Sequence, residues 1–172
     1  MLEAYRNHVA ERAALNIPPK PLNAEQVAEL VELLKNPPAG EEDYLLELIS
    51  NRVPPGVDEA AYVKAGFLSA LMGDKTSSPV IDKKTAIALL GNMHGGYNIE
   101  TLVGLLTDTD FGVAAATELK HTLLAFEAFH DIAELATSGN VNAQAVMQSW
   151  ANAEWFTDRT EVPASIKVSV FK

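Results

Sequence analysis

The stretch "ELLKNPPAGEEDYLLELISN", Glu32–Asn51, holds two apolar runs that end in the same way. Leu33-Leu34-Lys35-Asn36 closes the first run, and Leu48-Ile49-Ser50-Asn51 closes the second. Two adjacent bulky residues in the last turn of a helix plug a core from neighbouring positions. Asn or Asp then follows where the backbone leaves helical geometry. The same Leu-apolar-x-Asn/Asp form returns at Leu71-Met72-Gly73-Asp74, Leu89-Leu90-Gly91-Asn92 and Leu105-Leu106-Thr107-Asp108.

Taken alternately, the closing residues stand 38, 41 and 34 positions apart (36 to 74, 51 to 92, 74 to 108). A period of that size belongs to stacked helix pairs of the HEAT or armadillo kind, in which each pair buries its apolar face on the next. The recurrence therefore predicts an all-α, HEAT-like, right-handed stack of antiparallel helix pairs. Leu33, Leu34, Leu48, Ile49, Leu71, Leu89, Leu90, Leu105 and Leu106 should then be mostly buried.

Local signals agree with this reading. An amphipathic first helix runs from Leu2 through Leu15 to Ile17, until "IPPKP" stops it. Asn23 and Gln26 form a capping box ahead of "AEQVAELVELLK". Glu41, Glu42 and Asp43 open the next helix at its positive end. Asp58 caps "EAAYVKAGFLSALMG" and Asp82 caps "KKTAIALLG". Further helices are predicted from about Asn98, over "GVAAATELKHTLLAF" (112–126), over "AFHDIAELAT" (128–137) and over "NAQAVMQSWANAEWF" (142–156). The pattern changes at "SIKVSVFK", where Ile166, Val168 and Val170 alternate with Lys167 and Ser169 in strand fashion. The expected organisation is a helical domain over 1–160. Residues 161–172 would be a linker and the first strand of a following domain that is absent.

Composition limits the chemistry. The chain has 172 residues, one domain by length, and a net charge of −10. Its only arginines are Arg6, Arg12, Arg52 and Arg159, and no basic cluster is available to neutralise nucleic-acid phosphates. The acidic balance also disfavours an anionic membrane surface. There is no cysteine, which removes disulfides, thiolate zinc sites, cysteine nucleophiles and ordinary iron–sulfur ligation within these residues. The N-terminal residues alternate charge with apolar side chains and read as neither signal peptide nor membrane span, so a cytoplasmic location is expected.

"GNMHGGYN", Gly91–Asn98, is the glycine-dense stretch. It lacks the Lys-Ser/Thr of a Walker loop and the preceding strand of a dinucleotide loop. The favoured reading is a reversal between helices, with Gly95 and Gly96 allowing a sharp bend. The alternative is a site for an anion or substrate formed by His94, Gly95, Gly96, Tyr97 and Asn98 beside a helix N-terminus. Glu127, His130, Asp131 and Glu134 follow a helical spacing that resembles half of a carboxylate di-iron site. A complete site needs two more glutamates from other helices, and a solvated face is the better reading. His8 and His121 stand alone. Trp150 and Trp155 fit core packing and an interface edge equally well. No catalytic, cofactor-binding or metal residue is assigned.

The segment "LVELLKNPPAGEEDYLLELISNRVPPGVDEAAYVKAGFL" (30–68) resembles the N-terminal HEAT-like domain of aconitase B, the bacterial bifunctional aconitate hydratase 2/2-methylisocitrate dehydratase. "LLGNMHGGYNIETLV" (89–103) and "VMQSWANAEWF" (146–156) are similar to two further stretches of it, and "MLEAYRNHVAERAA" to its start. The resemblance implies a parent enzyme that interconverts citrate and isocitrate through cis-aconitate, using a [4Fe–4S] cluster held by three cysteines. None of those ligands, and no catalytic residue of the family, can be placed on this chain. What it implies here is a non-catalytic domain for protein contacts or dimerisation. Its partners would be the remaining domains of the parent, a second copy or another protein. The alternative is a direct part in tricarboxylate access.

Overall fold

The computed structural model describes residues 1–122 and 125–153. Trp155, the 160/161 boundary and the strand expected at 166–170 lie outside the described residues. All the regular structure among those described is helical: α1 (Leu2–Ala14), α2 (Ala24–Lys35), α3 (Glu42–Asn51), α4 (Glu59–Met72), α5 (Lys83–Gly91), α6 (Ile99–Gly104), α7 (Gly112–Leu119), α8 (Phe129–Thr137) and α9 (Val141–Ala151). A 3₁₀ turn at Leu105–Thr107 extends α6.

Consecutive helices pack as the pairs α2–α3, α4–α5, α6–α7 and α8–α9, and contacts of α2 with α4, α5 with α7 and α7 with α9 join the pairs. From α2 onward each helix packs on near neighbours in sequence, an arrangement consistent with HEAT-like stacking. The caps form as the sequence predicts. Asn23 Oδ1 accepts from the Gln26 N–H at 2.9 Å while Gln26 Oε1 accepts from the Asn23 N–H at 3.0 Å. Asp58 and Asp82 accept from the N–H groups of Ala61 and Thr85.

The recurrent helix ends carry much of the core. Leu34, Leu48, Ile49, Leu71, Leu89, Leu90 and Leu106 are buried, while Leu33 and Leu105 are only partly buried against the same cluster. The closing Asn or Asp does not play one role. Asn36, Asn92 and Asp108 follow the last helical residue, Asn51 is itself the last residue of α3, and Asp74 lies one step beyond the cap with φ +54°.

A helix leaves its last carbonyls without intrahelical donors. In three of these ends a later segment provides one. Ser78 Oγ donates to the Leu34 carbonyl at 2.6 Å, Asn98 Nδ2 to that of Leu90 at 2.8 Å, and Asn140 Nδ2 and Asn142 Nδ2 to that of Leu106 at 2.9 and 3.0 Å. At these three ends a buried leucine has its carbonyl held by a later segment.

Three helical expectations need correction. α1 stops at Ala14, and Leu15 and Ile17 are exposed, because Asn16 turns the chain with φ +54°. The helix expected over 112–126 ends at Leu119, where Lys120, His121 and Thr122 form a tight turn and the Leu119 carbonyl accepts from Trp150 Nε1 at 3.0 Å. Glu127 lies ahead of α8, in a turn, so it does not share a helical face with His130.

Candidate functional site

The glycine-dense segment joins α5 to α6 and rests on another loop, Arg52–Asp58, which joins α3 to α4. The His94 N–H donates to the Pro55 carbonyl at 2.7 Å, and the Tyr97 hydroxyl donates to the Val57 carbonyl at 2.9 Å. Two loops with several prolines and glycines thus satisfy each other's backbone groups, as connections without regular structure must.

The glycines act in different ways. Gly96 has φ +91°, where a side chain is strained. Gly95 has no such conformation, but a Cβ there would lie 2.1 Å from the Gly56 oxygen and 2.5 Å from its carbonyl carbon. Those atoms are backbone and cannot rotate aside. At Gly91 a Cβ would stand 2.0 Å from a Glu118 carboxylate oxygen, so α7 lies directly against the end of α5. Burial raises the Glu118 carboxyl above its usual range, and His121 opposes the shift.

The five candidate residues do not converge on one point. The His94 side chain is exposed and makes no hydrogen bond with the described residues. The Tyr97 ring meets Tyr62 edge-on, with centroids 5.3 Å apart. Asn98 turns inward and is fully buried, its Nδ2 donating to the carbonyls of Leu90 and of Met93, the latter at 3.3 Å. Its Oδ1 has no partner. Thus only His94 and Tyr97 present side chains outward.

This geometry gives a paired prediction. Gly96→Ala should cost about 1–2 kcal/mol through backbone strain. Gly95→Ala should cost more, because the two loops must separate. Urea unfolding of both variants measures the losses, and a neutral Gly95→Ala would show that the loops are not held together in this way.

The other candidates take structural positions. Trp150 is half-buried and stacks on Phe129 with centroids 6.3 Å apart, while its indole nitrogen ties α9 to the end of α7. His8 Nε2 accepts from the Lys20 N–H, and His121, Glu127, His130, Asp131 and Glu134 are exposed. Among the described residues, no three His, Asp or Glu side chains form a group able to hold a metal ion, and no helix is long and apolar enough to cross a membrane.

Sequence reading missed Lys64. It is only 3% exposed, on α4 between Ala60 and Leu68, and forms no hydrogen bond or ion pair in the described residues. Burial lowers its pKa to about 8. The signal was present: a helical wheel centres the apolar arc of α4 near this lysine, with Ala60, Ala61, Phe67, Leu68 and Leu71 around it.

Residues 4–156 match the family described as the Aconitate B N-terminal domain. Aconitate hydratase B of Pseudomonas aeruginosa is 64% identical over all 172 residues, and that of Escherichia coli 59%. That of Helicobacter pylori is 44% identical over 99% of the chain. In each case the chain spans 20% of the relative's length. With a match across nearly all of its helical residues, the chain belongs to the Aconitate B N-terminal domain family.

Proposed function

We propose that this chain serves as the N-terminal helical interaction domain of a cytoplasmic aconitate hydratase that interconverts citrate and isocitrate through cis-aconitate. The domain does no chemistry itself. Its task is contact with the remaining domains of the parent, with a second copy or with another protein. The observation that carries this reading is end-to-end similarity to a fifth of the length of enzymes named Aconitate hydratase B, with a match to the family described as their N-terminal domain. Support comes from a helical fold in which Ser78, Asn98, Asn140, Asn142 and Trp150 tie helix ends to neighbouring elements.

The parent's [4Fe–4S] cluster is held by thiolates, and a chain with no cysteine does not fit it. No step of the reaction falls to these residues. The test is an assay of cis-aconitate turnover by the full-length polypeptide and by the 172-residue chain. Activity should be confined to the former, and turnover by the short chain alone would overturn the reading.

A second reading, a part in tricarboxylate access, is favoured by the outward-facing His94 on a loop beside a helix start. Calorimetric titration of citrate into the chain separates the two. No saturable binding below about millimolar concentration is expected, equivalent to less than roughly 4 kcal/mol of affinity. A micromolar isotherm that disappears in His94→Ala would establish the access role instead.

A further inference from the structure

α1 stands apart from the stack that follows it. None of the closely packed helix pairs includes it, and Tyr5 is the one buried residue among its thirteen. α8 also buries a single residue, but it lies along α9. The linker after α1 turns back on that helix. Of residues 18–21 three are proline, and the one amide among them, that of Lys20, donates to His8 Nε2 at 3.0 Å. The Lys20 carbonyl accepts from the Tyr5 hydroxyl at 2.8 Å, and the Pro18 carbonyl from Arg12 Nε at 2.8 Å. Residues 1–21 thus form most of their hydrogen bonds with one another.

Between this segment and the stack, the hydrogen bonds among the described residues all come from one side chain. Arg6 Nη1 donates to Glu41 Oε1 at 3.0 Å and Arg6 Nη2 to Glu41 Oε2, while the guanidinium lies 4.3 Å from the centroid of the Tyr44 ring. The Met1 amino group stands 3.6 Å from Glu29 Oε2. The apolar part of the contact is small: Tyr5 is buried, and Met1, Leu2 and Val9 are partly so. Immediately beyond, Leu22 is 1% exposed and its N–H donates to the Arg52 carbonyl at 2.8 Å, so the chain is fixed to the stack from that point. A segment with one buried anchor and an exposed polar contact belongs to the low-stability end of a fold, where opening costs far less than global unfolding.

We propose that residues 1–21 form a releasable strap, which swings from a hinge between Pro21 and Leu22 while α2–α9 stay folded, and that the contact of Arg6 with Glu41 and Tyr44 is its latch. Motion at this hinge breaks no backbone hydrogen bond, since Pro21 has no N–H and that of Leu22 stays with Arg52. Opening leaves the bonds within the strap intact and removes the latch and the burial of Tyr5. Once detached, a helix of 13 residues is marginal in water, so its amides exchange with solvent. The guanidinium is held by charge on one partner and by a ring face on the other, so added salt weakens the hold.

The test is peptide-resolved hydrogen exchange of the full-length polypeptide, read by mass spectrometry. Amides of α1 should exchange ahead of those of α2 and α4, with little dependence on low concentrations of urea. Arg6→Ala and Glu41→Gln should each speed exchange in α1 roughly fivefold and leave α2 and α4 unchanged. Alanine favours helix at least as well as arginine, so the first effect would not come from a weaker helix. The double variant should go about as far as either single change, because both remove the same contact. Raising sodium chloride from about 50 to about 500 mM should speed α1 in the wild type and have little effect in Arg6→Ala. Exchange of α1 in step with α4, variants that speed both segments alike, strictly additive effects of the two changes, or indifference to salt would each overturn the proposal.

Discussion

Lys64→Met should stabilise the domain by up to roughly 3 kcal/mol at pH 7, the upper bound set by a lysine whose pKa falls from its ordinary value of 10.5 to about 8. The lysine sits within the apolar face of α4, so folding removes most of the water around its side chain, and no ion pair with the described residues replaces it. Methionine keeps much of the side chain's length and removes the charge. The sign with pH follows from the lowered pKa. Between about pH 8 and 10.5 the unfolded chain holds more protons than the folded one, so wild-type stability should rise as pH rises through that window. Below it the full penalty remains. In Lys64→Met the rise should vanish. Urea midpoints measured across pH 7 to 11 check both statements, and a substitution that destabilises at pH 7 would show that the ammonium group is compensated.

Leu34→Ala should cost about 2–5 kcal/mol, and Leu33→Ala clearly less. The two leucines are adjacent and identical in chemistry, but Leu34 is fully buried while Leu33 keeps part of its surface in water. Truncating Leu34 also opens a space beside the carbonyl that Ser78 holds. Denaturant unfolding of the two variants gives the contrast directly. Equal losses would mean that the recurrent pair acts as a unit, with no distinction between the plugged and the half-wet position.

The sequence was most informative where one residue's chemistry is completed within a few positions. Asn23 with Gln26, Asp58 with Ala61, and Asp82 with Thr85 each span three residues, and each forms as expected. The candidate loop was less legible. Its glycines announced a bend, and Gly96 adopts the positive φ that a bend requires. Gly95 answers to a different constraint, the carbonyl of Gly56, which stands 39 positions earlier and carries no local trace in the sequence. The helix expected over 112–126 erred for a similar reason. Local propensity continues past Leu119, but the indole of Trp150 takes the Leu119 carbonyl as the chain turns.

The sequence by itself determined the helical class, the caps, the leucine-ended repeat and the exclusion of thiolate chemistry, because these depend on spacing and on residue type. Only the tertiary structure decided where α7 stops, that Asn98 faces inward, that Lys64 is buried without a counter-charge and that Tyr62 meets Tyr97. Each of these depends on a partner brought close by packing, such as the Ser78 hydroxyl on a carbonyl 44 residues away. Burial and hydrogen-bond closure over such separations are properties of the assembled stack, and local spacing along the chain does not encode them.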